Sequence, residues 1–193
     1  DLKRYPDTRG VGLEVQENLA VMARKNSLMN NLQGRIEIIR GNARHVKHIF
    51  EERSFESVVF NPPYRKLNSG RINPHEEKAI ARHEIKGSLK DFLNAATYLL
   101  KSKGRVFAIY PAKRLVEMIY LFRQSGIEPK RMRLVFSDMS SDAAFALVEG
   151  KKDSREELTL EAPLFIYDRQ GNYSAEMSGL FNELSRLPAD GGG

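Results

Sequence analysis

The order of apolar runs along this chain restricts its fold more than any other feature. Residues 10–15 form a short apolar run with a carboxylate near its end, and residues 16–30 then place Leu19, Met22, Ala23 and Leu28 on roughly one helical face. Residues 35–40 restore a strand-like pattern that stops at Gly41-Asn42, a typical loop opener. A polar stretch over 44–53 predicts a short helix, and Ser57-Val58-Val59-Phe60 is a continuous apolar run suited to a strand buried on both faces. Helical periodicity returns over 76–85 and, more strongly, over 88–101, where Ser88 is the expected cap and Leu89, Phe92, Leu93, Ala96, Leu99 and Leu100 the buried stripe. Residues 105–110 predict a strand, and 112–124 a helix that Gly126 terminates. Beyond it, 132–136, 143–149 and 158–167 predict strands with no helices between them, an antiparallel flap. Strand and helix alternate first and strands then run together, which predicts an α/β fold: a mostly parallel sheet with antiparallel strands at its carboxyl-terminal edge.

At 193 residues the chain is long enough for one real core, so a single domain over 1–187 is expected, with 188–193 as a disordered tail after Pro188. Cysteine is absent, which removes disulfides, thiolate metal sites and cysteine nucleophiles together. His45, His48, His75 and His83 show no metal-ligand spacing, so no metal is expected. The net charge of +6 and pI near 9.5 suit a polyanionic partner, because phosphates release counterions on meeting lysine and arginine. Neither a membrane-spanning run nor a signal-like segment is readable, so a soluble cytoplasmic protein is expected, with a monomer as the default state of association.

Ligands on sheets of this kind sit beyond the carboxyl ends of the strands. Glu14, Asn42 and Asn61 each fall at such an end, and three polar side chains at successive strand ends would line one crevice. The last of them opens Asn61-Pro62-Pro63-Tyr64. Its Asn61 side-chain oxygen and Pro62 backbone carbonyl are two acceptors, able to take both N–H groups of an adenine's exocyclic amine. That geometry frees a lone pair otherwise delocalised into the ring. Consecutive prolines hold the carbonyl in place before substrate arrives, and Tyr64 can stack on a base drawn out of its loop or helix. Asn-Pro is also a common turn starter, and the same tetrapeptide can simply end a strand.

Four segments carry a resemblance to a known family: Gly12-Leu13-Glu14-Val15-Gln16; Arg35-Ile36-Glu37-Ile38-Ile39-Arg40-Gly41-Asn42; Val58-Val59-Phe60-Asn61-Pro62-Pro63-Tyr64; and Pro163-Leu164-Phe165-Ile166-Tyr167-Asp168. Over residues 11–180 the chain resembles the bacterial tRNA adenine-N6 methyltransferases that modify adenine-37 of valine tRNA. The resemblance implies the Rossmann-like fold of class I methyltransferases, S-adenosylmethionine as cofactor and tRNA as partner. It also implies that Glu14 accepts both ribose hydroxyls of that cofactor, with Val15 packing near its adenine, and that Asn42, the Ala43 backbone amide and Asn61 make further contacts. The catalytic loop would be Asn61, Pro62, Pro63 and Tyr64. The family's first strand and glycine-rich loop are not readable in this sequence.

Arg65, Lys66, Arg71, Arg82, Lys86, Lys113 and Arg114 fall in or after the polar loop and near strand ends, where they are candidates for a phosphate-gripping rim. Solvated helix faces are the alternative. Two rival functions remain open at this point. A glutamine side-chain amide in a protein such as a release factor meets the same two acceptors, and an RNA-binding module can keep the fold without turnover.

Overall fold

The computed structural model describes residues 7–63 and 87–185. Two compact units make up the chain, Asp1–Asn42 with Ser178–Gly193, and Ala43–Met177. The expected helix over 76–85 and the polar loop before it lie outside the described residues.

In the first unit, β1 (Gly10–Glu14), α1 (Glu17–Met29) and β2 (Ile36–Arg40) form a βαβ arrangement. The two strands are parallel, in register from Gly10 opposite Ile36 to Glu14 opposite Arg40. The helix does not bury the face expected of it. Leu19 is 43% exposed and Met22 and Leu28 are each 57% exposed, whereas Ala20 and Ser27 are buried. Small side chains seven residues apart let the helix approach closely, and the Arg24 guanidinium donates to the Ile38 carbonyl at 3.1 and 3.2 Å.

The second unit opens with a kinked 3-10 segment, Ala43–His48, where a short helix is expected. It continues with β3 (Phe55–Phe60), α2 (Leu89–Leu99), β4 (Leu100–Pro111), a 3-10 turn (Ala112–Arg114), α3 (Leu115–Gln124), β5 (Ile127–Phe136), β6 (Ala143–Lys152), β7 (Thr159–Leu160) and β8 (Leu164–Phe165). A last helix, α4 (Ala175–Ser185), closes the described chain. The sheet runs β3-β4-β6-β5-β7, with β8 also on β5. Only β6 is antiparallel to its neighbours, lying between β4 and β5; β3 is parallel to β4, and β7 and β8 are parallel to β5.

Ser88 caps α2 as the sequence predicts. Its hydroxyl accepts from the Asp91 N–H at 3.3 Å, and the Asp91 carboxylate accepts from the Ser88 N–H at 2.7 Å. Ser88→Ala is therefore expected to cost about 1 kcal/mol, read as a lower denaturation midpoint with unchanged m-value. The stripe behind the cap is buried too: Leu89, Leu93, Ala96, Leu99 and Leu100 are each at most 9% exposed. At the other end of α2, the buried Lys152 threads its ammonium under the last turn, donating to the carbonyls of Thr97 at 2.6 Å and Leu100 at 2.9 Å. A cation at a helix carboxyl terminus is favoured by the helix dipole as well as by the hydrogen bonds.

The α3 region starts as a 3-10 turn and ends at Gly126, whose φ of +72° favours glycine, as expected. β5 begins five residues earlier than the apolar pattern implies, running through Pro129. β7 pairs with β5 only at Arg131 and Met132, so the missing proline N–H interrupts no described ladder on that side. β3 departs from expectation in burial: Val58 and Phe60 pack on the core while Val59 is 76% exposed. Side chains alternate across a strand, and the core that packs on Val58 and Phe60 does not cover the face that carries Val59. Among the described residues no helix is long and apolar enough to cross a membrane, and no three His, Asp or Glu side chains come together as a metal-holding group.

Candidate functional site

Each unit carries part of the predicted set. In the first, Glu14 ends β1 directly opposite Arg40 at the end of β2. The half-buried Glu14 carboxylate is held through its Oε1, which accepts from the Gln16 N–H at 2.8 Å, while the Glu14 carbonyl accepts from the Gly41 N–H at 3.0 Å. Those two bonds fix the direction in which the chain leaves both strands. Val15 and Asn42 follow immediately and are half-buried, so Glu14, Val15 and Asn42 share the carboxyl end of one parallel strand pair. Ala43 opens the 3-10 segment of the second unit.

In the second unit, Asn61, Pro62 and Pro63 leave the carboxyl end of β3. Asn61 is exposed, Pro63 is half-buried and Pro62 is among the most deeply buried side chains of the chain. An exposed amide is thus mounted on a buried ring, and the proline rings restrict rotation on either side of the intervening carbonyl. Phe60, just before it, lies 5.4 Å from the Phe92 ring of α2, which fastens the strand end to the core. Tyr64, Arg65, Lys66 and Arg71 lie outside the described residues, as do Arg82, Lys86, His75 and His83.

Because Phe60 is in register with Ala108 on the parallel β4, Lys113 and Arg114 leave the sheet at the same end as Asn61. They differ in environment. Lys113 is exposed, whereas Arg114 makes a two-pronged pair with Glu117 at 2.8 Å for each bond and stacks 4.9 Å above the buried Tyr110 ring. The hydrogen bonds to Glu117 hold the guanidinium above its already high ordinary pKa. Arg114 is committed within the chain in a way its place in the sequence does not disclose; only Glu117, three residues on, hints at it.

A second concentration of side chains at this end of the sheet escaped sequence reading. β5, β4, β3 and β8 all run in one direction, so the turns after β5 and β8 emerge beside the Asn61 loop's end of the sheet. The turn after β5 and the hairpin after β8 enclose a cavity of about 680 Å³, lined in part by Met139, Tyr167 and Arg169. Residues 158–167 were expected as one strand. They are two short strands, and Tyr167 instead faces Tyr173 across a tight hairpin. The signal was available in Asp168-Arg169-Gln170-Gly171-Asn172, a run of turn-forming residues between two tyrosines.

The comparisons with known proteins agree with this architecture. A family model described as N-6 DNA methylase matches residues 3–119, more than half of the chain. The chain belongs to the N-6 DNA methylase family. Among curated proteins it is similar to two named tRNA1(Val) (adenine(37)-N6)-methyltransferase. The one from Pedobacter heparinus is 23% identical over 180 residues, covering 89% of this chain and 70% of the relative. The one from Porphyromonas gingivalis is 30% identical over 118 residues, covering 60% of this chain and 46% of the relative. The chain thus spans only part of the length of either. The resemblance read from the four sequence segments is borne out by these names. A crystal structure from Agrobacterium tumefaciens, described as a predicted O-methyltransferase, superposes with a TM-score of 0.69 at 21% identity, over 89% of this chain and 76% of that one. That likeness establishes the fold of this N-6 DNA methylase family member as the Rossmann-like, mostly parallel sheet of class I methyltransferases, as the sequence predicts; of the antiparallel flap expected over 132–167 only β6 is reversed, since β7 and β8 pair parallel to β5.

Proposed function

We propose that this chain methylates the exocyclic N6 amine of an adenine in RNA, with S-adenosylmethionine as methyl donor and a tRNA as substrate. Position 37, the one in the relatives' names, is the favoured target. The observation that carries the reading is the exposed Asn61 set on the buried Pro62 at the carboxyl end of β3. Two neutral oxygen acceptors suit a neutral amine: the Asn61 side-chain oxygen takes one N–H and the Pro62 carbonyl the other, drawing the nitrogen toward a tetrahedral geometry. The lone pair then points away from both acceptors; the new N–C bond would form as the donor's S–CH3 bond breaks and a neutral thioether leaves, and the proton the nitrogen sheds afterwards passes to water.

The residues of the first unit fit the donor's adenosine. A carboxylate held by a backbone N–H, as Glu14 is by Gln16, accepts well from a vicinal diol, so Glu14 would hold the ribose. Val15 offers an apolar edge to the purine, and Asn42 with the Ala43 amide would contact its polar rim. When bound, the cofactor supplies a methyl group on a cationic sulfur; the chain's own work is to hold and desolvate the amine. The net charge of +6 supports a polyanionic substrate over a protein amide. Lys113, with Arg65, Lys66 and Arg71, would grip phosphates near the target. Arg114, its charge compensated by Glu117, would border that rim without gripping a phosphate.

A tritium-transfer assay offering bulk tRNA and a release factor side by side tests this function. Label is expected in tRNA and, after nuclease digestion, in N6-methyladenosine. Label confined to the release factor would reverse the substrate class, and failure of calorimetric titration to show S-adenosylmethionine binding would leave an RNA-binding module without turnover.

A further inference from the structure

The cavity between the turn after β5 and the hairpin after β8 is built from side chains that the proposed chemistry does not use. The hairpin is held by the Ser174 N–H to the Ile166 carbonyl at 2.9 Å and the Asp168 N–H to the Asn172 carbonyl at 2.8 Å. Asp168 Oδ1 also accepts from the N–H groups of Gln170 at 2.8 Å and Asn172 at 3.0 Å, so its charge is absorbed by the turn. This frame holds Tyr167 and Tyr173 with ring centroids 5.5 Å apart and planes only 15° from parallel, 40% and 50% exposed respectively. Just before the hairpin, Phe165 packs against Phe136, centroids 5.4 Å apart, and the Tyr167 N–H is tied to the Ser137 carbonyl at 2.8 Å. Those contacts fasten the start of the hairpin to the end of β5.

Across the cavity, Asp138 Oδ1 accepts from the Ser140 hydroxyl at 2.6 Å and the Ser140 N–H at 2.8 Å. Those bonds hold its carboxyl below the ordinary carboxylate range, so it remains an acceptor. Met139 projects beside it, 64% exposed, and Arg169 stands at the opposite hairpin tip. The chemistry offered is a flat aromatic surface, a polarisable thioether, the Asp138 carboxylate as an acceptor, and one cation at the rim. A peptide would need exposed strand edges or an apolar groove; an unpaired nucleotide needs a stacking face, acceptors for its amino group and a cation for its phosphate. The cavity, about 680 Å³, falls within the usual range for a ligand of that size.

Its position agrees. Counting β3-β4-β6-β5-β8, the hairpin lies four strand spacings from Asn61, about 19 Å at roughly 4.8 Å per step, on the same end of the sheet. Stacked nucleotides rise about 3.4 Å each, so the span is about six stacked nucleotides, and fewer when they are splayed. We propose that Tyr167, with Tyr173 stacked against it and with Met139 and Arg169 of the cavity wall, forms a stacking platform for an unpaired nucleotide of the RNA substrate a few positions from the methylated adenine. This inference deepens the RNA-methylation reading and rests on it for the identity of the ligand.

The test is fluorescence-anisotropy titration of the whole protein with a labelled tRNA anticodon stem–loop and with a fully paired RNA duplex of equal length. Tyr173→Ala is expected to weaken stem–loop binding about tenfold, with Tyr173→Phe within about twofold of wild type and duplex binding unchanged. Arg169→Ala is expected to flatten the log–log salt dependence of stem–loop binding by about 0.7, the contribution of one phosphate contact. Stem–loop binding indifferent to both Tyr173→Ala and Arg169→Ala, or lost equally for duplex, would overturn the platform. Methyl transfer measured on the same preparations separates the two readings. Transfer intact with binding unmoved by Tyr173→Ala removes the platform and keeps the enzyme, whereas Tyr173-dependent binding without transfer keeps the platform and removes the enzyme.

Discussion

Asn61→Ala is expected to lower methyl transfer to tRNA by about 10²-fold or more, while S-adenosylmethionine affinity measured by calorimetry stays within about twofold of wild type. The size follows from removing one preorganised polar group that acts on the reacting atom, a change that typically costs about 10²–10³ in kcat. The asymmetry between transfer and binding follows from structure. Asn61 is exposed at the end of β3, and the residues whose side chains are proposed to hold adenosine, Glu14, Val15 and Asn42, belong to the other unit, with only the Ala43 backbone amide added from its own. Fold integrity is not at stake, because the buried member of the loop is Pro62. The decisive readout is single-turnover transfer with saturating cofactor: a rate equal to that of wild type would remove Asn61 from the reaction, and a loss explained by cofactor affinity alone would reassign it to binding.

Phe122→Ala is expected to destabilise the second unit by about 3–5 kcal/mol, the usual range for truncating a buried aromatic side chain. Phe122 is fully buried on α3 and belongs to the cluster that includes Leu93, Val106, Met118 and Ile127. Its ring lies over Gly150 of β6 so closely that a Cβ added there would come within 2.7 Å of the ring and 2.6 Å of Ile127 Cγ2. The seat is thus made by the absence of a side chain, and little around it can collapse into the space a missing ring would leave. Denaturant titration followed by a probe in the second unit measures the loss. A midpoint within error of wild type would mean that α3 is not held to the sheet by this contact.

Much of the local structure was legible beforehand. α2 was read from Ser88 through its stripe because capping and a 3.6-residue apolar period are both local properties, and the structure shows the cap bonds and the buried stripe in the expected places. β1, β2 and their polar ends at Glu14 and Asn42 were legible for the same reason, as was the exit of β3 at Asn61. The face that α1 presents was not. Leu19, Met22 and Leu28 have the bulk that marks a buried side, yet the helix buries Ala20 and Ser27 and is tied to β2 by Arg24, a side chain the apolar period does not count. Nor was the fate of Val59, whose exposure depends on what packs on each face of β3, or the partner of Arg114, whose usefulness as a phosphate contact depends on Glu117 and Tyr110.

The sequence by itself set an asparagine and a proline carbonyl in succession after an apolar strand, the acceptor pair proposed above for the amine, and it determined the alternation that makes an α/β sheet. Tertiary structure alone decided which strand ends stand together. Asn61, Lys113 and the Tyr167–Tyr173 hairpin share one end of a sheet because β3, β4, β5 and β8 run in the same direction around an antiparallel β6. Strand direction and neighbour order are set by pairing between residues far apart in the chain, and no local period or propensity records them.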